Sequence, residues 1–131
     1  MATIFTRIIQ DEIPSYKLLE DDRFYAFLDI NPLAKGHALV VPKKETDYIF
    51  DIEDKELGEM MVFAKKVARA IEKAVPCKKV GIAVIGLEVP HAHIHLIPIN
   101  DVSDINFARP KLKLSPEEFT DLVSKIQAAL K

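Results

Sequence analysis

Three of the four histidines in this chain occupy alternate positions in one five-residue run, His91-Ala92-His93-Ile94-His95, with Leu96-Ile97-Pro98 directly after it. The intervening residues are apolar and suited to a strand. In a strand, successive side chains point to opposite faces. His91, His93 and His95 are therefore expected on one face and Ala92, Ile94 and Leu96 on the other. Packing alone does not account for such a row. Each imidazole has two ring nitrogens that need partners, and each titrates near neutrality. The row can bind a metal, or it can handle protons and a phosphoryl group.

For metal binding, His-x-His on a strand is a good bidentate pair, and zinc accepts three imidazoles. Ligand histidines, however, are usually oriented by a neighbouring carboxylate. The nearest acids, Glu88 and Asp101, do not share the strand. In nucleophilic catalysis, one neutral imidazole nitrogen attacks phosphorus while the other donates a hydrogen bond that fixes the tautomer. Flanking imidazoles hold the phosphoryl oxygens and protonate the leaving group. Imidazole titrates near pH ~6.5, so such activity should fall on acidification.

The totals exclude several other classes. With 131 residues the chain is the size of one domain, expected to span 1–131. Its formal net charge is −2, from 18 basic and 20 acidic side chains, which argues against a nucleic-acid partner. A single cysteine, Cys77, forbids an intrachain disulfide or a cysteine-based zinc cluster within one chain. The beginning of the chain, Met1 to Arg7, lacks the pattern of a signal peptide. No apolar run approaches the ~20 residues of a membrane span. The expectation is a cytoplasmic protein without a membrane partner.

Periodicity predicts a short helix over Thr3–Gln10, with Ile4, Phe5, Ile8 and Ile9 inward, ended by Ile13-Pro14. Strands are expected at Lys17–Glu20, Phe24–Asp29 and His37–Pro42. A long helix follows over Glu53–Val75, with Leu57, Met60, Met61, Ala64, Val67, Ala68, Ile71 and Val75 inward. Strands at Val80–Ile85 and His91–Ile97 form a hairpin around Gly86–Pro90. Ser115-Pro116-Glu117-Glu118 has the signature of a helix start, and Phe119, Leu122, Ile126 and Leu130 form that helix's stripe. This order indicates an α+β fold.

The His-φ-His-φ-His-φφ pattern, where φ is apolar, resembles the signature of the histidine-triad (HIT) family. The segments Ile4-Phe5 to Glu12-Ile13-Pro14, Glu20-Asp21-Asp22-Arg23, Phe27-Leu28-Asp29-Ile30-Asn31-Pro32 and His37 to Lys44 are similar to its Hint branch, in the same order. The similarity covers roughly residues 3–99. It implies a HIT fold: a five-stranded antiparallel sheet with a long helix and a C-terminal helix. It also implies a homodimer whose sheets join across the dimer axis. The implied activity is that of a nucleotide hydrolase or phosphoramidase, acting on conjugates of a purine nucleoside monophosphate through a nucleotidyl-histidine. No metal or other cofactor is required. The alternatives are a nucleotide-binding module with little turnover and a dinucleoside polyphosphate hydrolase.

By that resemblance His93 is the nucleophile, His91 and His95 line the phosphate site, and His37 is a fourth catalytic histidine. Asp29 binds the ribose hydroxyls, and Ile8, Phe27 and Ile30 wall the base pocket. The chain also departs from the pattern. Ile85 replaces an amide, and Leu87 and Glu88 replace a Gln and a Ser or Thr before the first histidine. Two unit charges ~4 Å apart at a surface-like dielectric interact by ~4 kcal/mol, so Glu88 should oppose an anionic substrate. Thr3 and Thr6 stand where some members carry a zinc-binding Cys-x-x-Cys, so no structural zinc is expected. Arg109-Pro110-Lys111-Leu112-Lys113 is either a solvated connector or a border of the leaving-group side.

Overall fold

Alternation along the strands decides how this chain layers. The computed structural model describes residues 2–131. Its strands are β1 (Lys17–Glu20), β2 (Phe24–Leu28), β3 (Ala38–Pro42), β4 (Lys79–Ala83) and β5 (Ile94–Ile99), and its helices are α1 (Ile4–Ile9), α2 (Asp54–Ala74) and α3 (Pro116–Ala129). The strands form one antiparallel sheet in the order β1-β2-β3-β5-β4. All five residues of both β2 and β3 are buried, so both faces of the sheet centre are covered.

The two faces are covered unequally. Phe24, Ala26, Leu28, Ala38, Val40, Ile94 and Leu96 point to one face and join the main core with α2 and α3. Tyr25, Phe27, Leu39 and Val41 point to the other, where Phe5 and Ile8 of α1 meet them in a smaller cluster. A six-residue helix cannot cover that whole face, and the part left open is the cavity described below.

The helices begin and end where their residues dictate. α3 starts at a reciprocal cap: the Glu118 amide donates to Ser115 Oγ (3.2 Å) and the Ser115 amide to Glu118 Oε1 (3.1 Å). Phe119, Leu122 and Ile126 are buried as expected, and Leu130 is partly buried. On α2, Met60, Ala64, Val67 and Ile71 are buried as expected, and Leu57, Ala68 and Val75 pack partly buried against the core. Phe63 and Ala70 are buried, whereas Met61 lies beside the edge strand β4 and is exposed. Ile4 of α1 is likewise exposed on the cavity rim.

The histidine row corrects a second expectation. β5 begins at Ile94, so His91 and His93 lie in the run that leads into it and only His95 is in the ladder. Asp29, His37 and Ile85 also fall just outside their expected strands. Asp29, His37, His91 and His93 thus gather at strand ends, where the backbone is free of the ladder, beside His95 within it. Among the described residues, no helix is long and apolar enough to cross a membrane.

Candidate active site

Gly36 adopts φ +94°, a conformation that costs a glycine little, and a Cβ there would lie 3.0 Å from Val75 Cγ2. This turn delivers His37 to the head of β3, where its carbonyl accepts the Asp29 amide (3.0 Å). His37 thereby reaches His95 on the neighbouring strand β5, with His37 Nε2 3.0 Å from His95 Nδ1. The four histidines are all buried, from fully enclosed His91 to His95 at 8% exposure.

Their hydrogen bonds fix the ring protons. The Leu33 amide donates to His37 Nδ1 (3.0 Å), so neutral His37 carries its proton on Nε2 and donates it to His95 Nδ1. His95 then carries its proton on Nε2. His93 is the reverse case. Its Nδ1 lies 2.8 Å from the His91 carbonyl, which can only accept, so the proton is on Nδ1 and Nε2 holds a bare lone pair. Among the described residues, no protein group bonds Nε2 of His93 or His95. No buried side-chain nitrogen or oxygen there lacks a partner, so both Nε2 atoms reach the solvent of the cavity that their rings line.

Burial favours the neutral form of His37, His91 and His95. Desolvation, aided by nearby His95, Lys111 and His93, pulls the His37 pKa down to about 3. Desolvation and the neighbouring His93 pull that of His95 to about 4. Burial also lowers His91, against the opposing pull of the Pro42 carbonyl and Glu45. Burial raises the Asp29 carboxyl above its usual range, opposed by the Asn31 amide that donates to its Oδ1 (2.8 Å).

The cavity has a volume of about 490 Å³, the size of a small-molecule site. Ile8, Phe27 and Ile30 line it on the apolar side, Asp29, His37, His93 and His95 on the polar side. Every expected nucleotide-binding residue and three of the four expected catalytic histidines thus meet in one place. The exception is His91. It is fully buried behind His93 and does not line the cavity, contrary to its expected place on a phosphate wall. Ile85, Leu87 and Glu88 stand on the rim, where no amide or hydroxyl of that turn replaces the missing polar groups.

Two wall residues come from the tail beyond Asp101, which the sequence pattern leaves unassigned. The Phe107 ring packs edge-on against His95 at 4.8 Å, and Lys111 lines the same cavity. Lys111 Nζ donates to the carbonyls of Phe107 (2.6 Å) and Arg109 (3.2 Å), and the Leu112 amide to the Pro32 carbonyl (2.8 Å). Arg109 is occupied by Ser103 and Asp104. Of the basic stretch, then, Lys111 lies on the site, on the side of Asp29 and His37. One signal in the sequence marks this turn: Asp101 and Asp104 form a reciprocal cap, and Phe107, the single aromatic between it and α3, needs a burial site.

The ligand atoms of Asp29, His37 and His95 lie within 4.8 Å of one another, close enough to be tested as a metal set. The set does not fit. His37 Nδ1 already accepts the Leu33 amide, so its proton must remain on Nε2, the atom a metal would take. Binding there requires a ring stripped of both protons.

Residues 10–102 match the HIT domain. The chain belongs to the HIT family. A HIT-like protein of Borreliella burgdorferi is 38% identical over 131 residues, covering 94% of each chain. The adenosine 5'-monophosphoramidase hnt1 of Schizosaccharomyces pombe is 34% identical and aligns over the whole of both chains. Among solved structures, a HIT-like protein of Bartonella henselae involved in cell-cycle regulation superposes with a TM-score of 0.84 at 32% identity, covering 97% of this chain and 95% of that one. This HIT protein therefore carries its histidine row on the antiparallel α+β architecture expected for it.

Proposed function

We propose that this HIT protein is a nucleoside phosphoramidase that hydrolyses conjugates of a purine nucleoside monophosphate through a nucleotidyl-histidine. The observation that carries the reading is the bare Nε2 of His93, held in a cavity between an apolar wall and Asp29. The hnt1 relative, named for adenosine 5'-monophosphoramidase activity, supports it.

In the first step His93 Nε2 attacks the α-phosphorus and the bond to the leaving amine breaks. Nδ1–H donates to the His91 carbonyl and stabilises the positive charge that develops on the ring. The Nε2–H of His95, fixed by His37, is the donor available to the phosphoryl oxygens or the departing group. The amine nitrogen takes up a proton from solvent as the P–N bond breaks and departs as a neutral amine, and the water of the second step returns a proton to solvent. Water then attacks the phosphorus, the bond to His93 breaks, and the nucleoside monophosphate departs. Asp29 accepts the ribose hydroxyls and Ile8, Phe27 and Ile30 hold the base.

A second reading, nucleotide binding with little turnover, is favoured by one observation. Glu88, Leu87 and Ile85 occupy the rim where polar groups would steady the phosphate. Turnover of an adenosine phosphoramidate bearing a fluorescent amine, with chelator present, separates the two. The expected result is activity in the wild type and none in His93→Ala, with AMP binding retained in both. Retained turnover in the variant refutes the nucleophile, and an inactive wild type that binds AMP makes the binding reading the better one.

A homodimer is part of the same proposal. The edge strand β4 exposes Ile82, and Val84 and Ile85 after it are exposed too, beside Met61 and Val62 of α2. Such a patch on an unpaired edge suits pairing with a second copy. The lone Cys77 accords with a cytoplasmic, reducing compartment.

A further inference from the structure

His91 is part of the histidine row, yet it does not reach the cavity. What it does is visible in its bonds. Its backbone carbonyl accepts Nδ1–H of His93 and so sets which nitrogen of His93 stays bare. That carbonyl lies outside the β-ladder, because β5 starts only at Ile94. Nothing in the sheet therefore fixes its direction. The residues around it are held by isolated contacts: the His91 amide to Val89 O (2.8 Å) and the Ala92 amide to Thr46 O (2.7 Å).

The ring of His91 supplies the remaining restraint, and it is gripped at both nitrogens. Nε2 donates to the Pro42 carbonyl (2.8 Å), so Nδ1 is an acceptor. It accepts from Thr3 Oγ1 at 2.7 Å. Thr3 Oγ1 in turn accepts the Thr6 amide (3.1 Å). Behind both threonines stands one carboxylate oxygen: Glu45 Oε1 accepts the Thr3 amide (2.8 Å) and the Thr6 hydroxyl (2.7 Å). The same helix places Phe5 edge-on against the rings of His91 (5.7 Å) and His93 (4.9 Å).

We propose that Thr3, Thr6 and Glu45 are positioning residues for the reaction, a hydroxyl–carboxylate clamp that holds His91 and, through its carbonyl, the tautomer and direction of the His93 nucleophile. The clamp joins the loop after β3 to α1 and to the approach to β5, three segments that no ladder unites. It touches no substrate. Its effect on turnover rests on the phosphoramidase reading, but its effect on the His93 ring does not.

The test is ¹⁵N NMR of the His93 ring near neutral pH, together with steady-state kinetics on an adenosine phosphoramidate, for Thr3→Val, Thr3→Ser and Glu45→Ala. Thr3→Val keeps the shape and removes the donor. Glu45 is exposed, so Glu45→Ala leaves no buried void and serves if Thr3→Val does not fold. In the wild type the His93 proton should reside on Nδ1. In Thr3→Val and Glu45→Ala the ring should shift toward a mixture of tautomers. Loss of one hydrogen bond's net worth should lower kcat roughly three- to tenfold with AMP affinity within about twofold. Thr3→Ser should restore both. Folded Thr3→Val and Glu45→Ala proteins with an unchanged ring signal overturn the proposal, and so does a changed ring signal with unchanged kcat. If the wild type fails to turn over the substrate, the phosphoramidase reading falls and the ring signal alone decides the clamp.

Discussion

His37 Nε2 and His95 Nδ1 stand 3.0 Å apart, one neutral imidazole donating to another where β3 and β5 lie side by side. The arrangement needs both rings uncharged: a second proton on His95 would set two donors face to face across this bond, and one on His37 would set Nδ1–H against the Leu33 amide. Burial enforces that state, and it couples the site to the stability of the fold.

The coupling has a definite sign. Folded His37 and His95 titrate at about 3 and about 4, below the free imidazole value. As pH falls below ~6.5 the unfolded chain takes up protons that the folded chain refuses, so stability is complete above that pH and is lost on the way down to the folded values. Thermal unfolding midpoints should drop between about pH 7 and pH 4.5. The drop should be shallower in His37→Gln. An equal slope in both proteins would show that these histidines do not carry the effect.

Asp29 should separate ribose from deoxyribose. A carboxylate accepting sugar hydroxyls makes charge-assisted bonds worth roughly 1.5–3 kcal/mol, so Asp29→Asn should weaken AMP binding about 10- to 100-fold. Binding of 2'-deoxy-AMP should change far less. Calorimetric titration of both nucleotides against both proteins measures the difference.

The charges on the rim act in opposite directions. Glu88 and Lys111 both line the cavity and both are exposed. Glu88→Gln should tighten AMP binding and Lys111→Glu should loosen it, each by roughly three- to tenfold at low salt. Both effects should shrink as salt is added. Effects independent of ionic strength would mean that the side chains act by contact rather than by field.

Phe107 shields the His95 ring from water. In Phe107→Ala that shield is lost, so the His95 imidazole becomes better hydrated and its pKa rises. Titration of the His95 ring by NMR checks this, and an unmoved value would assign the desolvation to the sheet alone.

Much of the site was legible in one dimension because it rests on period two. The alternation of His91, His93 and His95 with apolar residues placed all three imidazoles on the α1 side of the sheet, as Phe5 against His91 and His93 and the His93–His95 contact bear out. The Ser115-Pro116 cap and the apolar stripe of α3 are equally local, and both stand where they were expected. Met61 shows where this stops. Helical spacing places it beside Met60, but which flank of α2 meets the sheet depends on where β4 ends, and that is settled by packing.

What the sequence determined by itself was the set of groups: four histidines, one of them 54 residues from the start of the others, an acid before Asn31-Pro32, and alternating strands to carry them. Tertiary structure decided which of these meet and in what protonation state. His37 reaches His95 because β3 pairs with β5, and His91 withdraws from the cavity because Thr3 and Pro42 hold its ring elsewhere. The tail returns Phe107 and Lys111 to the site because Leu112 bonds to Pro32. A periodic pattern records which face a side chain takes. The tautomers of His91 and His95 depend on partners that lie 49 to 88 residues away in the chain, and only the folded arrangement brings those partners within hydrogen-bonding distance.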